Sequence, residues 1–168
     1  TQPISKFYKD RQGEIWCIFY TKGIGKIKDN KCFPVFSEHF GESQINDIYN
    51  DSQGKLWLTS DKGVFCIDKS NAVTLYTTKN GLSNNIITSI CETSDSIIWV
   101  TTDKFLHSFN GSEWVRQNTL DIGKCKVIVA DTSSNIFIGT DRGLFVYQNK
   151  DWYKHFDSKT GLPSDNVN

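Results

Sequence analysis

Asp10-Arg-Gln-Gly-Glu-Ile-Trp16 sets a pattern that returns as Asp51-Ser-Gln-Gly-Lys-Leu-Trp57 and, in weaker form, as Thr93-Ser-Asp-Ser-Ile-Ile-Trp99 and Asp131-Thr-Ser-Ser-Asn-Ile-Phe137. The four aromatic positions recur about every 40 residues, a period that belongs to repeat architectures. A second punctuation follows each copy: Thr21-Lys-Gly23, Asp61-Lys-Gly63, Asp103-Lys-Phe105 and Asp141-Arg-Gly143. A third closes the unit, clearly at Gly81-Leu-Ser-Asn84 and Gly161-Leu-Pro-Ser164, and in degenerate form at Gly41-Glu-Ser-Gln44 and Leu120-Asp-Ile-Gly123. The units run over residues 4–41, 45–82, 86–123 and 125–162, with 167–168 beginning a further one.

Within a unit, short apolar and β-branched or aromatic runs alternate with Gly, Asn, Asp and Ser, which predicts four strands and no helix. In the second unit the strands fall at about 45–50, 55–60, 64–68 and 72–77. Asp51 is placed to bond back onto its own turn and Gly54 to supply a positive φ, while Asp61-Lys-Gly63 makes the next hairpin. Four antiparallel strands repeated at this period predict an all-β fold, a β-propeller of four-stranded blades, four in this chain and part of a larger propeller. Blades pack face to face, so Trp16, Trp57, Trp99 and Phe137 are expected to form the inter-blade core, each buried Trp contributing roughly 3 kcal/mol.

Composition removes other classes. The 168 residues are 38% hydrophobic and 23% charged, with 19 basic against 19 acidic residues, so the electrostatic footprint of a nucleic-acid binder is missing. The longest apolar run, Ile15 to Tyr20, falls far short of the roughly 20 residues that cross a bilayer. No contact of this segment with nucleic acid or membrane is expected. There is no Met, which suits a piece of a longer chain. The five cysteines (Cys17, Cys32, Cys66, Cys91, Cys125) lack zinc-site spacing and disulfide-scaffold density, and read as small buried hydrophobes.

The unit Asp-x-x-Gly-x-[Ile/Leu]-Trp-[Leu/Val]-x-[Ser/Thr], then Gly-[Val/Leu]-Phe and Gly-Leu-[Ser/Pro]-x-[Asn/Asp], resembles the two-component regulator propeller repeat. Residues Leu56 to Phe65 and Asp141 to Phe145 match it best. The third copy lacks both turn glycines, with Ser96 and Phe105 in their place, which puts its hairpin geometry in question. The resemblance implies a ligand-sensing input segment from the periplasmic part of a hybrid two-component histidine kinase, of the kind abundant in Bacteroidetes. Such sensors commonly respond to oligosaccharides released from glycans. The partners implied are an oligosaccharide and the other blades of the parent chain. For the four units by themselves the repeat leaves three arrangements open: a strained closed ring, an open arc, or a homodimer through the exposed faces of the end blades.

The repeat also places a cation in every second turn. Lys22, Lys62, Lys104 and Arg142, accompanied by Asp61, Asp103 and Asp141, would ring one rim and are the candidate ligand-binding residues, suited to an acidic or sulfated glycan. The plainer account is that a tight turn favours a solvated residue. No catalytic residue is assigned. His39, His107 and His155 fall at non-equivalent positions, and neither a Gly-x-Ser-x-Gly nucleophile motif nor a phosphate-binding glycine loop is present. No metal site and no cofactor are expected, since the Asp10 and Asp51 turns lack a calcium loop's alternating oxygen ligands. Two rivals stand beside the sensor: a protein-interaction scaffold, and a propeller lyase or hydrolase.

Overall fold

A computed structural model describes residues 3–20, 23–117, 121–149 and 151–168. The first unit holds β1 (Ile4–Lys9), β2 (Ile15–Phe19), β3 (Ile24–Lys28) and β4 (Lys31–Val35), and the second β5 (Ile45–Asn50), β6 (Leu56–Ser60), β7 (Val64–Ile67) and β8 (Val73–Tyr76). The third holds β9 (Ile87–Glu92), β10 (Ile98–Thr102), β11 (Leu106–Phe109) and β12 (Trp114–Arg116), and the fourth β13 (Cys125–Ala130), β14 (Ile136–Thr140), β15 (Gly143–Gln148) and β16 (Asp151–Phe156). Each unit is one antiparallel sheet whose strands follow chain order. The fold is all-β and built of propeller blades. Among the described residues, two helical turns interrupt the connections: α1 (Ser37–Phe40) and a 3-10 turn at Thr78–Asn80, capped by the Thr77 side chain. Both join one blade to the next, where the chain must reverse from an outer strand to an inner one.

The Asp turn explains the motif. Asp51 accepts the backbone N–H groups of Gln53 and Lys55 at 2.9 and 2.7 Å with one carboxylate oxygen, and the indole N–H of Trp57 at 2.7 Å with the other. Asp10 does the same for Gln12, Glu14 and Trp16. In blade three the Thr93 hydroxyl takes the Trp99 indole at 3.0 Å. Phe137 has no N–H to give, and there the Asn135 amide donates to Asp131 at 2.7 Å instead. The turn glycines Gly13 and Gly54 sit at φ of 86° and 78°; Ser96 and Ser134 hold the same left-handed conformation, so blade three keeps its hairpin without glycine.

Three apolar clusters fill the gaps between blades. Trp16, Ile18 and Ile24 meet Ile48, Leu58 and Phe65. Trp57 and Val64 meet Ile90, Val100 and Trp114, and Trp99 and Leu106 meet Ile128, Ile138 and Phe145. Each Trp thus faces the following blade. Trp16, Trp57 and Trp99 are buried. Phe137 shares their register position, opposite Val129 and Val146, but is half-buried, because its blade is the last of the four and no sheet among the described residues covers that side.

Candidate functional site

β5, β9 and β13 lie side by side as inner strands, and β5 also meets blade one. Their polar groups cross from blade to blade. Asp47, nearly buried, takes the Lys6 ammonium at 2.5 Å and the Ser89 hydroxyl at 2.8 Å, and the Asn46 amide donates to the Ile87 carbonyl at 2.8 Å. At the end of the blades that carries the Asp turns, the Glu92 carboxylate, almost fully buried, receives Arg11 of blade one at 2.7 Å and the Ser52 backbone N–H of blade two at 3.0 Å. These groups tie three blades together near the axis. Their repeat positions are occupied by different residues in each unit, so periodicity alone does not reveal them.

The second turns lie at the opposite end, beside the blade-joining loops. Asp61 accepts the Gln44 backbone N–H at 2.9 Å and Asp141 that of Lys124 at 2.7 Å, while the Asp103 carbonyl accepts from Cys125 at 3.0 Å. The two carboxylates therefore pin the entry to an inner strand. Among the cations, Lys62 lies 3.8 Å from its neighbour Asp61. Lys104 and Arg142 converge from blades three and four on Asp121, at 3.4 and 3.7 Å. Asp121, exposed, is held below the usual carboxylate range by the Gly123 N–H and then by these cations. Lys22 lies outside the described residues. The structure thus joins Lys104 to Arg142 and leaves Lys62 on its own turn, with Asp121 a member of this rim that the repeat does not mark.

The three histidines lie apart among the described residues. His39 pairs with Glu38, and His155 stacks on Phe145 at 4.2 Å while its Nε2 meets the Arg142 carbonyl at 2.7 Å. His107 is fully buried on β11, at the register position that Phe65 and Phe145 hold in other blades. Its Nε2 accepts the Ser83 backbone N–H at 3.1 Å and lies 2.9 Å from the Ser83 hydroxyl. No carboxylate among the described residues is hydrogen-bonded to this ring, so the pair tethers the Gly81 loop and lacks the third group that orients a catalytic histidine. Among the described residues no three His, Cys, Asp or Glu side chains converge as a metal site.

Burial pushes the His107 pKa down to about 4. The unfolded ring titrates near 6.5, so between those values only the unfolded chain binds the proton, and stability falls as pH drops below about 6.5. Lowering pH from 7 to 5 is expected to cost about 2 kcal/mol through this residue. Urea unfolding of the chain and of His107→Phe at both pH values checks it; an equal loss in the variant would assign the effect elsewhere.

A groove of about 750 Å³ lies at the Asp-turn end between blades two, three and four, lined by Gln53, Asp95, Ser96, Asn110, Gln117 and Ser134 among others. Its walls are mostly polar turn residues over the buried edges of Trp57 and Trp99.

Fold and site together define a class of segment: a run of β-propeller blades, joined by polar contacts near the axis, with a mixed-charge rim. Residues 39–62 and 81–104 match the two component regulator propeller family, and each match runs from a blade-joining loop to the cation of the second turn. The two matched stretches lie in the units that contain Trp57 and Trp99. Among solved structures, the extracellular domain assigned to a hybrid two component system of B. thetaiotaomicron matches with a TM-score of 0.83 at 23% identity, covering 97% of this chain and 24% of that one. A second such domain from the same organism matches at 0.76, 18% identity, and 92% and 24% coverage. The chain thus spans about a quarter of these relatives. Virginiamycin B lyase from Staphylococcus aureus shares the fold at 0.73 and 14% identity, covering 90% and 55%. No curated protein sequence matches the chain. Among the described residues, no helix is long and apolar enough to cross a membrane.

Proposed function

We propose that this chain is part of the ligand-sensing region of a hybrid two-component histidine kinase, that this region lies in the periplasm, and that it recognises an oligosaccharide from glycan breakdown. The observation that carries the reading is the match to the regulator-propeller repeat at 39–62 and 81–104, set in a blade array of which 97% superposes on the extracellular domain assigned to a hybrid two component system. The rim that bears Lys62, Lys104 and Arg142 is its ligand face. A signal arises from altered packing of blades or subunits, which a ligand drives only through different affinity for two arrangements.

Calorimetry of the complete sensor region against neutral and anionic oligosaccharides is expected to give binding at millimolar concentration or below, and silence across the panel would reject the reading. Charge reversal at Lys62 and Arg142 is expected to weaken an anionic ligand severalfold; unchanged affinity would discard the rim and keep the sensor. A protein-interaction scaffold is the second reading. It is favoured by the end faces, where Phe7 of blade one is 60% exposed and Val129 of blade four 53%. Further blades or a second copy would cover them.

A further inference from the structure

Blade one breaks the packing rule of the other three. Where blade two sets Leu58, Phe65 and Val73 on three successive strands of the face toward the preceding unit, register places Cys17, Gly25 and Cys32 in blade one. A Cβ at Gly25 would lie 2.7 Å from the Cys32 sulfur and 3.0 Å from that of Cys17. The glycine opens a gap over β3, and both sulfurs enter it from the flanking strands. They stand 2.9 Å apart. Cys17 is fully buried, whereas Cys32 is exposed and lines an apolar recess of about 900 Å³ with Phe19, Ile24, Pro34 and Phe40. We infer that Cys17 and Cys32 form a reversible disulfide across Gly25, which fastens the outer strand β4 to β2.

Strands two apart in a sheet are separated more widely than adjacent ones, and a disulfide tolerates Cα atoms only up to about 7 Å apart. Closure therefore draws β4 inward. That strand can move, being an edge strand exposed over four of its five residues. The co-reactant is a small-molecule disulfide. Cys32, the accessible thiol, loses its proton, attacks one sulfur of the oxidant and expels the first thiolate; the Cys17 sulfur then displaces the second and loses its own proton. Two thiols are oxidised, one disulfide is reduced, and two small-molecule thiols leave. Burial and the adjacent Cys32 thiol push the Cys17 pKa upward, which slows the second displacement.

The test treats the full chain with glutathione disulfide at pH 8, counts thiols after denaturation and maps the digest without reduction. Two of the five thiols are expected to disappear, with a Cys17–Cys32 linked peptide that dithiothreitol abolishes. Cys32→Ser is expected to keep its four thiols and give no linked peptide. Five thiols remaining in the parent chain, a stable glutathione adduct at Cys32 in place of the link, or a Cys32–Cys32 dimer would each overturn the proposal. The parent-chain result decides it even if a variant fails to fold.

Discussion

Replacing Trp57 with alanine is expected to destabilise the chain by about 4–5 kcal/mol. The ring is 1% exposed and packs edge-on against Phe109 and Trp114 at 5.2 and 6.0 Å, and roughly parallel to Tyr76 at 6.1 Å. Such aromatic pairs add about 0.5–1.5 kcal/mol to simple burial. Alanine also removes the donor that satisfies one oxygen of Asp51. Because the ring joins blade two to blade three, and repeat arrays draw stability from neighbour interfaces, the loss falls on the middle of the array. Phe137→Ala removes a half-buried ring at the same register position and is expected to cost about 1 kcal/mol. Urea unfolding of both variants checks the contrast. Similar costs would mean that the aromatic matters to its own blade and does not bind blades together.

The blades were legible because each is specified locally. An Asp turn, an aromatic six residues on and a second turn lie within one short stretch, and period then orders the copies. Strand limits in the second unit agree with expectation to within a residue or two. Blade three was the doubtful unit, yet serine at 96 adopts the left-handed turn, and the second hairpin closes through the Thr102 N–H to the Phe105 carbonyl at 3.0 Å. The repeat disclosed the apolar contact between blades at Trp16, Trp57 and Trp99, but not the polar contacts. Asp47 with Ser89, Glu92 with Arg11, and the meeting of Lys104 and Arg142 at Asp121 join residues far apart in the chain, and their partners differ from unit to unit. The helical turn at Ser37–Phe40 escaped for a related reason: its Phe40 is buried against Phe65 of the next blade, a tertiary contact with no periodic signature. The cysteines show the same limit. Read singly they are small hydrophobes; only the register across β3 sets two of them over a glycine.

The hydrogen-bonding role of the motif aspartate leads to the second large effect. Asp51→Ala is expected to cost about 3–4 kcal/mol, because it leaves two turn N–H groups and a buried indole N–H without an acceptor. Asp131→Ala removes an equal number of accepted bonds but is expected to cost much less. Its third donor is its own neighbour Asn135, partly exposed, which turns to water when the carboxylate is gone. Asp51→Asn, which keeps one acceptor oxygen, should fall between. If the cost at Asp51 runs through the indole, the double variant Asp51→Ala/Trp57→Phe is expected to lose about 1 kcal/mol less than the sum of the single changes. Strict additivity would show that the carboxylate acts on the turn alone, and that aspartate and tryptophan serve the blade separately. A coupled pair instead links the hairpin between the first two strands to the interface with the next blade, since one carboxylate shapes the turn and orients the ring that fills the gap.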